Sequence, residues 1–258
     1  MFARRVFVCL LWAGACFAQE LTIAAASDLQ SALPEVIAVF EKETGKTVRV
    51  TFGSSGNFFA QIQNGAPFDL FFSADVNYPQ RLEAAGLTKK DSLYVYATGK
   101  IVVWAPKDSK LDLERRGLDA LRDPAVKRIA IANPAHGPYG RAARAALEKA
   151  GVWEAVKDKI VMGENISQAM QFVESGNAQI GIIALSLALS PRMAPKGHYW
   201  VVPQELYPTL EQAAVVLKSA KSSAIAEDFL TYLKGSKGRE IMKRFGFAPN
   251  PWKVVGIP

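Results

Sequence analysis

The chain has 258 residues, half of them hydrophobic and 21% charged, which is an ordinary globular composition for one large domain or two small ones. No stretch of about 18 consecutive apolar residues occurs, so we expect no transmembrane helix in the mature protein. The formal net charge of +7 is not gathered into blocks of lysine and arginine interleaved with aromatic residues, so nucleic acid is not an expected partner.

The first eighteen residues have the order of a secretory signal peptide. Arg4 and Arg5 give a positive start, an apolar run covers residues 6–17, and Ala18 precedes the polar Gln19. We therefore expect export to the periplasm with cleavage after Ala18.

Cleavage at that point removes both cysteines of the chain, Cys9 and Cys16, and lowers the formal charge from +7 to +5. The mature chain then has no disulfide and no thiol chemistry. A lipid anchor on Cys16 is the alternative, but Ala13 stands where such anchors usually have a larger aliphatic residue.

Strand-like and helix-like segments alternate along the rest of the chain, and this alternation predicts an α/β fold with mostly parallel sheets flanked by helices. The predicted strands are residues 21–26, 47–52, 68–72, 93–97, 101–105, 128–132, 160–162, 180–184, 199–202 and 213–217. The predicted helices are residues 33–40, 55–64, 78–85, 140–150, 167–174 and 225–233, with a last helix closing at Gly246.

The pattern starts afresh after residue 100, which predicts two lobes. We place lobe 1 at residues 19–98 and 209–258, and lobe 2 at residues 99–208.

Four segments share one design, in which a strand ends, small or polar residues follow, and a helix begins. They are residues 26–28, 53–57, 133–140 and 163–167. A helix start leaves about four N–H groups unpaired and carries partial positive charge. One serine or aspartate there is usually an N-cap, but four such segments, two in each half, predict a shared anion site without Lys or Arg.

These segments also carry a family resemblance. The runs LTIAAASDL at 21–29, FGSSG at 52–56 and GAPFDLFFSAD at 65–75, with YLKG at 232–235 and FGF at 245–247, resemble the periplasmic molybdate-binding proteins of ABC transporters. The resemblance implies the two-lobed fold of class II (type II) solute-binding proteins, which close on their ligand by a hinge. It also implies a molybdate or tungstate ligand, a permease partner, no resident cofactor and no catalysis, and we expect a monomer.

Carried over by position, the resemblance implies ligand contacts from Ser27, Asp28, Ser55, Tyr139 and Ile166. All would touch oxygen atoms of the oxyanion through hydrogen bonds. Ser27 and Ser55 would donate hydroxyls, Tyr139 its N–H and its hydroxyl, and Ile166 its N–H.

The chain departs from the family pattern in two places. Ala184 stands where some members have a tyrosine, and the Tyr139 hydroxyl could replace that tyrosine. Asp28 would repel an anion if its carboxylate faced the ligand. We therefore expect Asp28 to cap its helix and to offer only its N–H.

A site lined only by donors favours an unprotonated dianion, because the O–H of protonated phosphate would find no acceptor. Discrimination against the smaller sulfate then depends on cavity size. The first alternative is a binding protein of the same fold for another oxyanion such as sulfate. The second is an exported hydrolase that pairs Ser55 with His136, and no cluster with zinc-ligand spacing surrounds either histidine.

Overall fold

The computed structural model describes residues 20–247. The predicted signal peptide, both cysteines and the last eleven positions of the chain lie outside the described residues. Within residues 20–247 no helix is both long and apolar enough to span a bilayer.

The strands of this structure have the following bounds: β1 Glu20–Ala26, β2 Thr47–Gly53, β3 Leu70–Ser73, β4 Tyr94–Gly99, β5 Ile101–Pro106, β6 Ile129–Ala132, β7 Ile160–Gly163, β8 Ile180–Ala184, β9 Gly197–Val201 and β10 Leu210–Val216. The α-helices are α1 Ala32–Thr44, α2 Ser55–Gln63, α3 Asn77–Ala84, α4 Leu113–Arg116, α5 Pro138–Lys149, α6 Trp153–Val156, α7 Ile166–Glu174, α8 Leu185–Ala188, α9 Ser223–Lys234 and α10 Ser236–Arg244. Short 3₁₀ helices cover Ser27–Leu29, Gly117–Arg122, Lys157–Lys159, Ala194–Lys196 and Gln204–Leu206.

The strands form two five-stranded sheets with the same design. The first has the order β2-β1-β3-β10-β4, and the second has the order β7-β6-β8-β5-β9. In each sheet the first three strands pair in parallel, and the strand that arrives from the other sheet, β10 or β5, pairs antiparallel with both neighbours. We call the half built on the first sheet lobe 1 and the half built on the second sheet lobe 2. The predicted fold class, α/β with two lobes, is confirmed.

Apolar periodicity explains why these segments form the elements they do. In α1 the buried residues Leu33, Val36, Ile37 and Phe40 lie on one helical stripe, as predicted, and Gly45 ends the helix in the left-handed conformation at φ 69°. The central strands β3 and β6 are buried along their whole length, whereas the edge strand β2 alternates between exposed and half-buried positions.

The sequence pattern predicts no helix at residues 113–122, where the structure has α4 and a 3₁₀ helix. The helices α6 and α8 were also missed, and each has four residues. A single helical turn is too short to show a 3.6-residue apolar period, so such elements leave little trace in the sequence.

The four predicted strand-to-helix junctions all lie where the two lobes meet. The ends of β1 and β2 lead into the 3₁₀ helix Ser27–Leu29 and into α2 on lobe 1, and the ends of β6 and β7 lead into α5 and α7 on lobe 2. The carboxyl ends of parallel strands are the usual place for a ligand in open α/β sheets.

Candidate anion-binding site

A small cavity lies between the lobes at these junctions. Its volume is about 10 Å³, far below the roughly 300–1,000 Å³ of sites for drug-sized molecules. Its lining contains no Lys and no Arg and consists of Ala26, Ser27, Asp28, Gly53, Ser54, Ser55, Ala74, Ala132, Gly137, Pro138, Tyr139, Asn165 and Ile166. The cavity is of a size for a small ion.

The structure brings all five predicted site residues to this cavity: Ser27, Asp28, Ser55, Tyr139 and Ile166. The first three belong to lobe 1 and the last two to lobe 2. Their contacts with a ligand remain a prediction.

Both predicted serine donors are buried, and each already accepts one hydrogen bond. The Oγ of Ser55 accepts from the N–H of Ala74 at 3.0 Å, and the Oγ of Ser27 accepts from the N–H of Ser167 at 3.4 Å. A hydroxyl oxygen that accepts from a main-chain N–H keeps its own hydrogen for another partner. Each serine can therefore donate into the cavity.

Three helices begin at the cavity wall. Ser55 is the first residue of α2, Tyr139 follows Pro138 at the start of α5, and Ile166 opens α7. Proline suits the first helical position because it has no N–H to leave unpaired. At α7 the side chain of Asn165 caps the helix by accepting from the N–H of Gln168 at 3.1 Å. The partial positive charge of three helix starts thus faces the same small volume.

One glycine is needed to seat α5 against its strand. A Cβ at Gly140 would lie 2.2 Å from the main-chain oxygen of Ala132 at the end of β6. Glycine therefore permits the close approach that holds the first turn of α5, with Tyr139, at the cavity.

The carboxylate of Asp28 does not cap its helix as predicted. The N-cap position of the 3₁₀ helix Ser27–Leu29 is Ala26, and Oδ1 of Asp28 has no hydrogen-bond partner within residues 20–247. Instead its Oδ2 accepts from the hydroxyl of Tyr139 at 2.9 Å and from Nε2 of Gln212 at 2.7 Å, and the tyrosine oxygen also accepts from that Nε2 at 2.8 Å. The expected cap is wrong because donors from lobe 2 and from β10 reach the carboxylate first.

The environment of Asp28 favours its neutral form. Burial raises the pKa of Asp28 to about 6, although hydrogen bonds from Gln212 and Tyr139 act to lower it. The N–H groups of Asp28 and Leu29 lie near the carboxylate and also lower this pKa, but neither has hydrogen-bond geometry to Oδ1. That oxygen is buried and has no hydrogen-bond partner within residues 20–247.

The hydroxyl of Tyr139 is committed to Asp28. Burial and the neighbouring Asp28 charge raise the pKa of Tyr139 well above its usual value, so the phenol stays protonated and donates to the carboxylate. The idea that this hydroxyl replaces the tyrosine absent at Ala184 is therefore not supported. Ala184 itself is fully buried at the end of β8.

Polar contacts beside the cavity hold the lobes together. The main-chain oxygen of His136 accepts from the Oγ of Ser54 at 2.5 Å and from the N–H of Gly56 at 3.0 Å. On the same side Arg141 of lobe 2 pairs with Asp75 of lobe 1 at 2.5 Å. The lobes are therefore in contact around the cavity.

Two further hydroxyls of lobe 2 reach the 3₁₀ helix that carries Ser27 and Asp28. The Oγ of Ser167 donates to the main-chain oxygen of Ser27, and the Oγ of Ser186 donates to that of Asp28, both at 2.8 Å. These bonds fix the position of the lobe 1 part of the site relative to lobe 2.

The pairing proposed for a hydrolase is wrong. His136 Nδ1 lies 3.2 Å from the Oγ of Ser54, not of Ser55, and the Ser54 hydroxyl donates to the main-chain oxygen of His136. Ser55 is held by Ala74 instead. Within residues 20–247 no group of three or more His, Cys, Asp or Glu side chains is placed to hold a metal ion.

Gln212 and Ser54 are site residues that the sequence pattern does not single out. Gln212 is fully buried on β10, and its only sequence signal is a polar residue bordering the apolar run 213–217. Ser54 lay inside a predicted junction, but its contact with His136 depends on how the lobes meet.

The sequence and the fold also match proteins that are already known. Residues 21–248 match the family model described as bacterial extracellular solute-binding protein. The molybdate-binding protein ModA of Azotobacter vinelandii is 41% identical over 235 residues, which cover 90% of this chain and 92% of the relative. The ModA of Rhodobacter capsulatus is 36% identical over 230 residues, covering 89% and 88%.

A solved structure agrees with these matches. The periplasmic molybdate-binding protein of Azotobacter vinelandii superposes with a TM-score of 0.84 and 33% sequence identity, covering 89% of this chain and 99% of that one. The chain therefore belongs to the bacterial extracellular solute-binding protein family.

Proposed function

We propose that this protein captures molybdate, and the nearly isosteric tungstate, outside the cytoplasmic membrane and delivers it to an ABC permease. The observation that carries the proposal is a small cavity between two lobes, without Lys or Arg, in which two serine hydroxyls and three helix starts converge. The molybdate-binding relatives from Azotobacter vinelandii and Rhodobacter capsulatus, at 41% and 36% identity, support the same ligand.

The donors suit an oxyanion that is buried between lobes. Neutral hydrogen-bond donors stabilise a dianion without the desolvation penalty of a buried Lys or Arg. Because the donors come from both lobes, closing the lobes completes the set. The ligand contacts proposed here are the hydroxyls of Ser27 and Ser55 with the N–H groups of Asp28, Tyr139 and Ile166.

The cellular setting belongs to the same proposal. The chain would be exported, cleaved after Ala18, and act as a monomer without a cofactor, without nucleic acid and without catalysis. A chromogenic ester assay tests the last point, and turnover above background that is lost in a Ser54→Ala variant would contradict it.

The test is calorimetric titration of the mature protein with molybdate, tungstate, sulfate and phosphate. The protein is first unfolded and refolded so that any co-purified anion is removed. We expect tight one-to-one binding of molybdate and tungstate. Sulfate should bind much more weakly because it is smaller, and phosphate because it is protonated. Sulfate binding as tight as molybdate would move the assignment to another oxyanion, and the absence of heat from a folded protein with all four anions would refute it.

A further inference from the structure

Asp28 is a carboxylic acid in the wall of a cavity that otherwise offers neutral groups and helix starts. It has no exposed surface, and no ion pair to it occurs within residues 20–247. An ionised carboxylate so placed would repel a dianion across a medium of low dielectric. The site therefore needs a way to remove that charge when an anion binds.

The hydrogen bonds of Asp28 determine which oxygen can carry a proton. Oδ2 already accepts from the Tyr139 hydroxyl and from Gln212 Nε2, so both lone-pair positions of that oxygen are used. Oδ1 is buried and has no partner in the described part of the chain. A proton on Asp28 would sit on Oδ1 and would lack an acceptor until an anion supplies one.

We propose that the site takes up its anion together with one proton, which lies between Asp28 Oδ1 and an oxygen of the bound anion. This inference rests on the proposed function. The proton comes from solvent when the ligand is a dianion, and no covalent bond to the ligand is made or broken. Asp28 is then a specificity-determining residue, because it adds a proton-dependent contact to a site otherwise built from fixed donors.

The surroundings of Asp28 leave it as the group that takes the proton. Within residues 20–247 the titratable groups that face it are Tyr139 of α5 and Tyr96 of β4, and burial raises the pKa of both phenols well above the usual value. Gln212 of β10 does not titrate, and from α8 the Ser186 hydroxyl donates to the main-chain oxygen of Asp28. His136 faces Ser54 and Glu164 instead.

Close packing keeps this arrangement in place. A Cβ at Gly99, the last residue of β4, would lie 2.4 Å from the Tyr139 oxygen and 2.6 Å from Gln212 Nε2. No other side chain fits at this point, so close packing keeps the two donors on Oδ2. Oδ1 is the carboxylate oxygen that stays without a partner in the described part of the chain and is left for the ligand.

The first experiment counts protons in the wild-type protein. Molybdate is titrated into the mature protein at about pH 7.5 in two buffers with different heats of ionisation, and the difference in binding heat gives the protons taken up. We expect about one proton per molybdate and an affinity that falls about tenfold per pH unit between about pH 6.5 and 8.5. This measurement needs no variant, so a folding defect cannot obscure it.

The second experiment uses two variants. Asp28→Asn should bind molybdate with no proton uptake, with little pH dependence, and more tightly than wild type at about pH 8. His136→Gln is the matched control, since histidine is the other residue type that titrates near neutral pH, and it should keep both the proton uptake and the slope.

Three results would overturn the inference. Molybdate binding without proton uptake in the wild type would refute it and leave the proposed function intact. Uptake that persists in Asp28→Asn but disappears in His136→Gln would place the proton elsewhere and refute it as well. A folded protein that binds none of the four anions would refute the proposed function and this inference together.

Discussion

Ser55→Ala tests the central claim about the donors, because this hydroxyl has two roles that can be measured separately. Ser55 is 1% exposed, and its Oγ accepts from the N–H of Ala74. Removing the oxygen leaves that buried N–H unpaired, which should lower the free energy of unfolding by about 1–3 kcal/mol. Removing the hydrogen takes away one hydrogen bond to a charged ligand, which contributes about 1.5–3 kcal/mol to the binding free energy. The Kd for molybdate should therefore rise about 10- to 150-fold.

The matched control is Ser190→Ala on lobe 2. Ser190 is also buried, and its Oγ also accepts a main-chain N–H, that of Met193 at 3.3 Å, but it does not line the cavity. Denaturant unfolding and calorimetric titration should show a stability loss in both variants and weaker binding only in Ser55→Ala. If Ser55→Ala loses stability yet binds molybdate with wild-type affinity, the hydroxyl is structural and the assignment of donors is wrong.

Three further predictions follow from the contacts around the site. Asp75→Asn removes the charge that pairs with Arg141 across the lobes. Because the pair is partly exposed, molybdate affinity should fall no more than about fivefold, and the loss should be smaller at high salt. Titrations at two ionic strengths measure both effects. Gly140→Ala should lower the free energy of unfolding by about 1–3 kcal/mol, because the new Cβ would overlap the main-chain oxygen of Ala132, and an unchanged denaturation midpoint would contradict the close approach. Asp28→Asn should gain stability relative to the ligand-free wild type as the pH rises. Burial raises the pKa of Asp28 from 3.8 to about 6 in the folded state. The raised pKa lowers the wild-type free energy of unfolding by nothing below pH 3.8 and by about 3 kcal/mol above pH 6. Denaturation at about pH 4 and about pH 8 measures this change, and a constant difference between variant and wild type would show that the Asp28 carboxyl is not perturbed.

The sequence by itself determined much of the fold and of the site. The stripe Leu33, Val36, Ile37 and Phe40 predicted α1 because burial follows a period of 3.6 residues. The four strand-to-helix junctions also predicted which segments line the cavity, because strand ends and helix starts leave strong local signals. These junctions contain the cavity residues Ser27, Ser55, Tyr139 and Ile166.

Only the tertiary structure decided what the side chains of the site do. The bonds from Tyr139 and Gln212 to Asp28 join residues more than a hundred positions apart in the sequence, and the pairing of Ser54 with His136 exists only because the lobes are in contact. Local sequence predicts a cap for Asp28 because an acid at a helix start usually finds the nearest N–H. The fold overrides that preference by burying the carboxylate against Tyr139 of the other lobe and Gln212 of β10, and this burial is what raises its pKa.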